Sequence, residues 1–166
     1  MTNEAIISIA ALVSAVISAI VSAIISWWST NLLKQQATSE ALIGCFNTYV
    51  QLRDKRRDAI ASKDINMIKD YYMSFVDLCW NEFRLYQCNL IPYHVFYAWM
   101  DSRYRNYHKD DNVIIGEKTI SIKSVWEDMI STDYFNQHDD FLVFMSQIHD
   151  GKIDDALKKY KKPKLH

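Results

Sequence analysis

The sequence predicts an all-α protein in which one N-terminal transmembrane helix continues into a cytosolic helical bundle. Three observations lead there. An uncharged run extends from Ala5 to Leu33. From Thr30 onward apolar residues recur at three-to-four spacing nearly throughout. The 166 residues include only 3 glycines and 2 prolines to interrupt helices.

The span is placed at residues 5–28. About 24 residues rising 1.5 Å each make a helix of roughly 36 Å, enough to cross a hydrocarbon core of roughly 30 Å with some tilt. The N-terminus Met-Thr-Asn-Glu lacks the basic region of a secretory signal and the run ends in Trp27 and Trp28, which suit a membrane interface, so the segment reads as a retained anchor. No Lys or Arg precedes it, while Lys34 follows directly and Arg53, Lys55, Arg56 and Arg57 come next. Positive charge is held on the cytoplasmic side, so the expected topology is N-terminus out and C-terminal domain in the cytoplasm.

Inside the span, Ser14, Ser18, Ser22 and Ser26 repeat at strict four-residue spacing, with Ala15, Ala19 and Ala23 beside them. Positions four apart drift by about 40° per step, so the serines form a slanted ridge. Such serines can bond back to the carbonyl four residues earlier. Small residues on a ridge also let helices approach closely, the main packing device in lipid, and four in register favour self-association. The ridge would then face either a neighbouring helix, in a dry dimer or tetramer, or a water-filled lumen in a ring. With helix axes roughly 10 Å apart and helix radii of roughly 5 Å, five copies leave a lumen radius of about 3 Å and eight copies about 8 Å. A pore therefore needs five or more copies, and eight fit.

Residues 29–61 are expected as a long connecting helix, with Leu42, Ile43, Phe46, Tyr49, Val50 and Arg53 at helical spacing. A helical domain over 62–160 follows. Asp64 can cap a second helix bearing Ile65, Ile68, Tyr72, Phe75, Val76, Cys79, Trp80 and Phe83. Asn89-Leu-Ile-Pro92 is a break, and Pro92 suits the first position of a third helix to about His108. Val113 to Ile122 is β-branched around Gly116 and reads as a small hairpin or extended loop. Ser124-Val-Trp-Glu127 fits a capping box for a fourth helix, Asp139 or Asp140 starts a fifth, Gly151 ends it, and Ile153 to Tyr160 forms the last. Trp80, Trp99 and Trp126 are expected in the core. The basic tail 161–166 reads as a solvated terminus.

Cys45, Cys79 and Cys88 are odd in number, form no C-x-x-C pair and sit in apolar segments, as reduced core cysteines would. All 19 Lys and Arg lie beyond the span together with 19 of the 20 Asp and Glu, a balance that argues against a broad RNA groove. No Gly-rich phosphate loop, H-E-x-x-H or nucleophile elbow is present, so no cofactor is expected. His138-Asp139 and His149-Asp150 lack the further ligands of a metal phosphohydrolase and read as capping or surface residues; no metal is expected.

One constellation has possible chemistry. Asp101-Ser-Arg103-Tyr-Arg-Asn-Tyr-His108 contains Arg-x4-His. Metal-free RNA cleavage needs a group to manage a hydroxyl proton and a cation to steady phosphate charge, which histidine and arginine supply. Arg103 and His108 lie about 140° apart on an ideal helix, so they would meet more readily across a dimer seam than within one chain. Alternatively, Asp101, Tyr104 and Tyr107 pair and pack with the arginines.

Taken together, the span at Ala5 to Trp28, the helical body and the Arg103/His108 pair resemble the small membrane-anchored accessory proteins of type VI-B CRISPR–Cas systems, which carry a divergent HEPN motif. The resemblance implies a HEPN-like bundle, a bacterial inner-membrane location and a ring-forming pore. It also implies a functional partnership with an RNA-guided nuclease in antiphage defence. Tyr104 follows Arg103 where active HEPN nucleases usually carry a polar residue, which argues against RNA cleavage and leaves Arg103 and His108 as interface residues.

Overall fold

A computed structural model describes residues 3–109, 112–115, 117–132, 134–135 and 139–161, with side chains described from Ser14 onward. Its described elements are six helices and one hairpin: α1 Asn3–Ser62, α2 Ile65–Gln87, α3 Tyr93–His108, β1 Val113–Ile115, β2 Lys118–Ile120, α4 Ile122–Ser131, α5 Asp139–His149 and α6 Ile153–Tyr160. By packing, the chain divides into two units, Met1–Ser39 and Glu40–His166.

The first unit is the early part of α1. Among the described residues, α1 is the one helix long and apolar enough to cross a membrane, and none of its apolar window is buried. Val16, Ile17, Ile20, Val21, Ile24, Ile25, Trp27 and Trp28 are all exposed.

The second unit begins with the rest of α1, whose Cys45, Leu52 and Ala59 are buried. They stand seven residues apart, close to two helical turns, and so line one side. The apolar spacing through Ile43 and Phe46 signals the helix correctly, yet both residues point away from the core at 59 % and 62 % exposure. Asp64 caps α2 by accepting from the Asn66 N–H at 2.8 Å.

α2 buries Ile68, Tyr72, Phe75, Val76, Cys79, Phe83 and Tyr86 at three-to-four spacing. It ends in a Schellman turn: Asn89, at φ 57°, donates to the Tyr86 carbonyl, and Leu90 donates to that of Leu85. α5 ends in the same way, with Gly151 at φ 78° donating to Ile148 and Lys152 to Gln147.

Two starts differ from expectation by small shifts. Pro92 is the residue before α3, in extended conformation at ψ 145°, not its first turn. The capping box of α4 is Ser121 with Ser124, each side chain bonded to the other's backbone N–H at 3.0 Å, so the helix opens three residues before the expected Ser124. Burial of Ile122 on the core accounts for the earlier start. The strands pair antiparallel, Val113 with Ile120 and Ile115 with Lys118.

The core is built from phenylalanine more than tryptophan. Phe83 lies 4.5 Å from Phe144, Phe96 stacks on Tyr86 at 4.3 Å, and Phe141 meets Trp80 edge-on at 5.2 Å. Such contacts add about 0.5–1.5 kcal/mol each beyond burial. Trp126 is buried as expected, whereas Trp80 and Trp99 are half-buried at the rim. Cys45 and Cys79 are buried thiols; Cys88 is exposed, contrary to the core role expected of it. Tyr86 donates to the Leu157 carbonyl at 3.0 Å and Tyr93 to Asp154, tying α2 and α3 to α6.

Candidate functional site

Two sets of residues were singled out by sequence, and they lie in different units. In the first unit Ser14, Ser18, Ser22 and Ser26 are exposed, as are Ala15, Ala19 and Ala23 and the flanking Trp27 and Trp28. The ridge is thus available in full to whatever surrounds the helix. One turn further, the Thr30 hydroxyl donates back to the Ser26 carbonyl at 2.8 Å.

In the second unit Arg103 and His108 share α3, but their partners belong to different elements. Arg103 is 7 % exposed. Its Nη2 donates to both carboxylate oxygens of Glu82 on α2, at 2.9 and 3.2 Å, and Glu82 is itself 2 % exposed. The guanidinium lies 4.6 Å from the Phe75 ring and 5.9 Å from that of Tyr49. Burial works against the charge on Arg103, but Cys79 and Glu82 beside it outweigh that and hold it protonated. Burial pushes the Glu82 carboxyl up against the opposing pull of Arg103. The same burial lifts the Cys79 thiol to about 12 and the Cys45 thiol to about 11, leaving both as inert thiols at neutral pH.

His108 faces the C-terminal end of α5. Its Nε2 lies 2.6 Å from the His149 carbonyl oxygen, which can only accept, so Nε2 carries the proton. Tyr104 packs against the His108 ring at 4.6 Å. His149 stacks face to face on Tyr107 at 3.6 Å and meets Trp126 edge-on at 5.2 Å. Burial, reinforced by His108 and opposed by Asp150, lowers the His149 pKa to about 4.

Within one chain, then, Arg103 and His108 are not brought to a common point. Arg103 is one wall of a cavity of about 10 Å³, lined also by Cys79, Tyr107, Trp126 and His149. That volume holds about one water molecule and no phosphodiester. Arg105 is the arginine that pairs with Asp101, at 2.8 Å four residues away. Among the described residues no group of three or more His, Cys, Asp or Glu could hold a metal ion. His138 lies outside the described residues, as does the basic tail beyond Lys161.

Glu82 is the residue that spacing arguments passed over. It breaks the apolar stripe of α2 between Cys79 and Phe83, and a carboxylate at such a position calls for a buried cation.

The fold and these two sets define a class: an all-α chain with one span-length exposed helix and a separate bundle clamped by a buried ion pair. No protein-family model, curated protein or solved structure matches the chain.

Proposed function

We propose that this chain is a membrane-anchored accessory effector that oligomerises into a pore and depolarises or permeabilises the bacterial inner membrane, strengthening RNA-guided CRISPR antiphage defence. The observation that carries the reading is the exposed serine ridge, Ser14, Ser18, Ser22 and Ser26, on a helix of spanning length. In this reading the bundle of α2 to α6 is HEPN-like and cytoplasmic, the N-terminus is outside, and membrane lipid surrounds the ring. Five or more copies, eight included, turn their ridges inward to a wet lumen, and a type VI-B nuclease is the functional partner.

Burial of Arg103 against Glu82 favours a structural role for Arg103 within its own bundle over the alternative of a membrane-tethered ribonuclease. A guanidinium already bonded to a carboxylate is poorly placed to receive phosphate charge. The remaining alternative, a passive anchor for a partner protein, leaves the regular serine spacing without a use.

Purified full-length protein in dye-loaded liposomes provides the test. Leak of a small dye is expected, together with depolarisation of phage-challenged cells in which the nuclease is active. Sealed liposomes and unchanged membrane potential would overturn the reading.

A further inference from the structure

The four-residue spacing of the serine ridge does not stop where the apolar run ends. After Ser26 it continues through Thr30, Lys34 and Thr38, and meets an apolar side chain only at Leu42. Thr30 and Lys34 are exposed and Thr38 is half-buried. Lys34 lies in a polar groove of α1 with Asn31, Gln35, Thr38 and Ser39. It is the sole charged residue between Glu4 and Glu40, and among the described residues it enters no ion pair.

We propose that Lys34 makes the pore select anions, its ammonium groups forming a charged collar at the cytoplasmic mouth of the ring. The inference rests on the pore reading above and adds the class of ion that passes. A packing that turns all four serines to one lumen has to follow a ridge that slips about 40° per residue pair four apart, as helices tilted along that ridge do. Two further steps of the same slip reach Lys34. The arrangement that lines the lumen with hydroxyls therefore brings the lysine to it as well. From Ser14 to Lys34 the helix rises about 30 Å, one hydrocarbon thickness, so the collar stands where water begins and its charge needs no burial.

Hydroxyls both donate and accept, and so discriminate little between anions and cations. A fixed charge decides. In a ring of five to eight copies the lumen wall is about 3 to 8 Å from the axis by the geometry above. That is within one Debye length, about 8 Å at physiological salt, so the collar is felt across the whole mouth. Rings of lysine or arginine concentrate anions and repel cations. The neighbouring charges of opposite sign do not share its position. Glu40 lies about 120° round the helix from Lys34, and Glu4 precedes Ser14 and falls off the four-residue spacing.

Currents through the full chain in planar bilayers, under a KCl gradient, test the proposal. Chloride is expected to permeate about threefold or more over potassium at physiological salt, and the ratio to fall in about 1 M salt, where the Debye length shrinks to about 3 Å. Lys34 also marks the cytoplasmic flank of the span, so its charge is best changed after insertion. A Lys34→Cys, Cys88→Ser chain is inserted first, and a charged methanethiosulfonate is then added on both sides. The cationic reagent is expected to restore the anion preference and the anionic reagent to invert it. The same ion preference after both reagents, or a wild-type channel that prefers potassium, would overturn the proposal and leave the pore standing. Bilayers that carry no current remove both.

Discussion

The two units of this chain treat the same residue types in opposite ways. From Ser14 to Thr30 every side chain faces outward, apolar and hydroxyl alike. The unit from Glu40 on packs most of its rings in or against a shared core and buries a full ion pair with them. The difference is one of where partners come from. None of the apolar window of α1 is buried; in the reading proposed above, lipid or other copies cover it. The bundle pairs the buried charges Arg103 and Glu82 with each other. Function that depends on neighbours is therefore expected to be sensitive in the first unit, and thermodynamic stability in the second.

Replacing Ser14, Ser18, Ser22 and Ser26 together by leucine is the strongest way to break this contrast. Liposome leak is expected to vanish while the thermal unfolding midpoint of the bundle is unchanged, read by far-UV dichroism and dye release on one preparation. Retained leak would mean that the hydroxyls do not line the path.

The reverse experiment acts on the buried pair. Arg103→Ala leaves Glu82 uncompensated and is expected to cost about 3–5 kcal/mol, measured by denaturant titration of the detergent-solubilised full chain. Joint replacement of Glu82 and Arg103 by methionine removes both charges at similar volume and is expected to recover most of that loss. If the double variant is as unstable as Arg103→Ala, the pair does more than hold α2 to α3.

A smaller effect separates the units by pH. His149 titrates at about 4 in the folded bundle against 6.5 when unperturbed. Between those values the unfolded chain holds more protons, so stability rises with pH across the window. It is complete above about 6.5, falls as pH drops towards about 4, and levels off below. The span of the change is about 3.5 kcal/mol at most, at roughly 1.4 kcal/mol per unit. His149→Phe, which can still stack on Tyr107, is expected to flatten that part of the pH profile without altering leak at neutral pH.

Much of the fold was legible because its signals are local. The end of α1, expected near Ala61 and found at Ser62, the Asp64 cap and the Gly151 stop each depend on a few adjacent residues. The α4 start was displaced because a serine at the third helical position can reach back as a glutamate does, and Ser121 with Ser124 used it. Which way α1 faces was not legible, since Ile43 and Phe46 are as apolar as the buried Cys45 and Leu52. The surroundings of Arg103 were hidden for a related reason. Its partner, Glu82, lies 21 residues earlier on another helix, and spacing within α3 carries no information about that approach.

The cysteines carry a practical consequence. Two of the three thiols are buried and pushed up to about 11 and about 12, while Cys88 stands open to solvent at the end of α2. A maleimide fluorophore added to the native chain therefore reports from a single attachment point. Its stepwise photobleaching in single particles counts subunits directly, with no substitution in the span or the bundle.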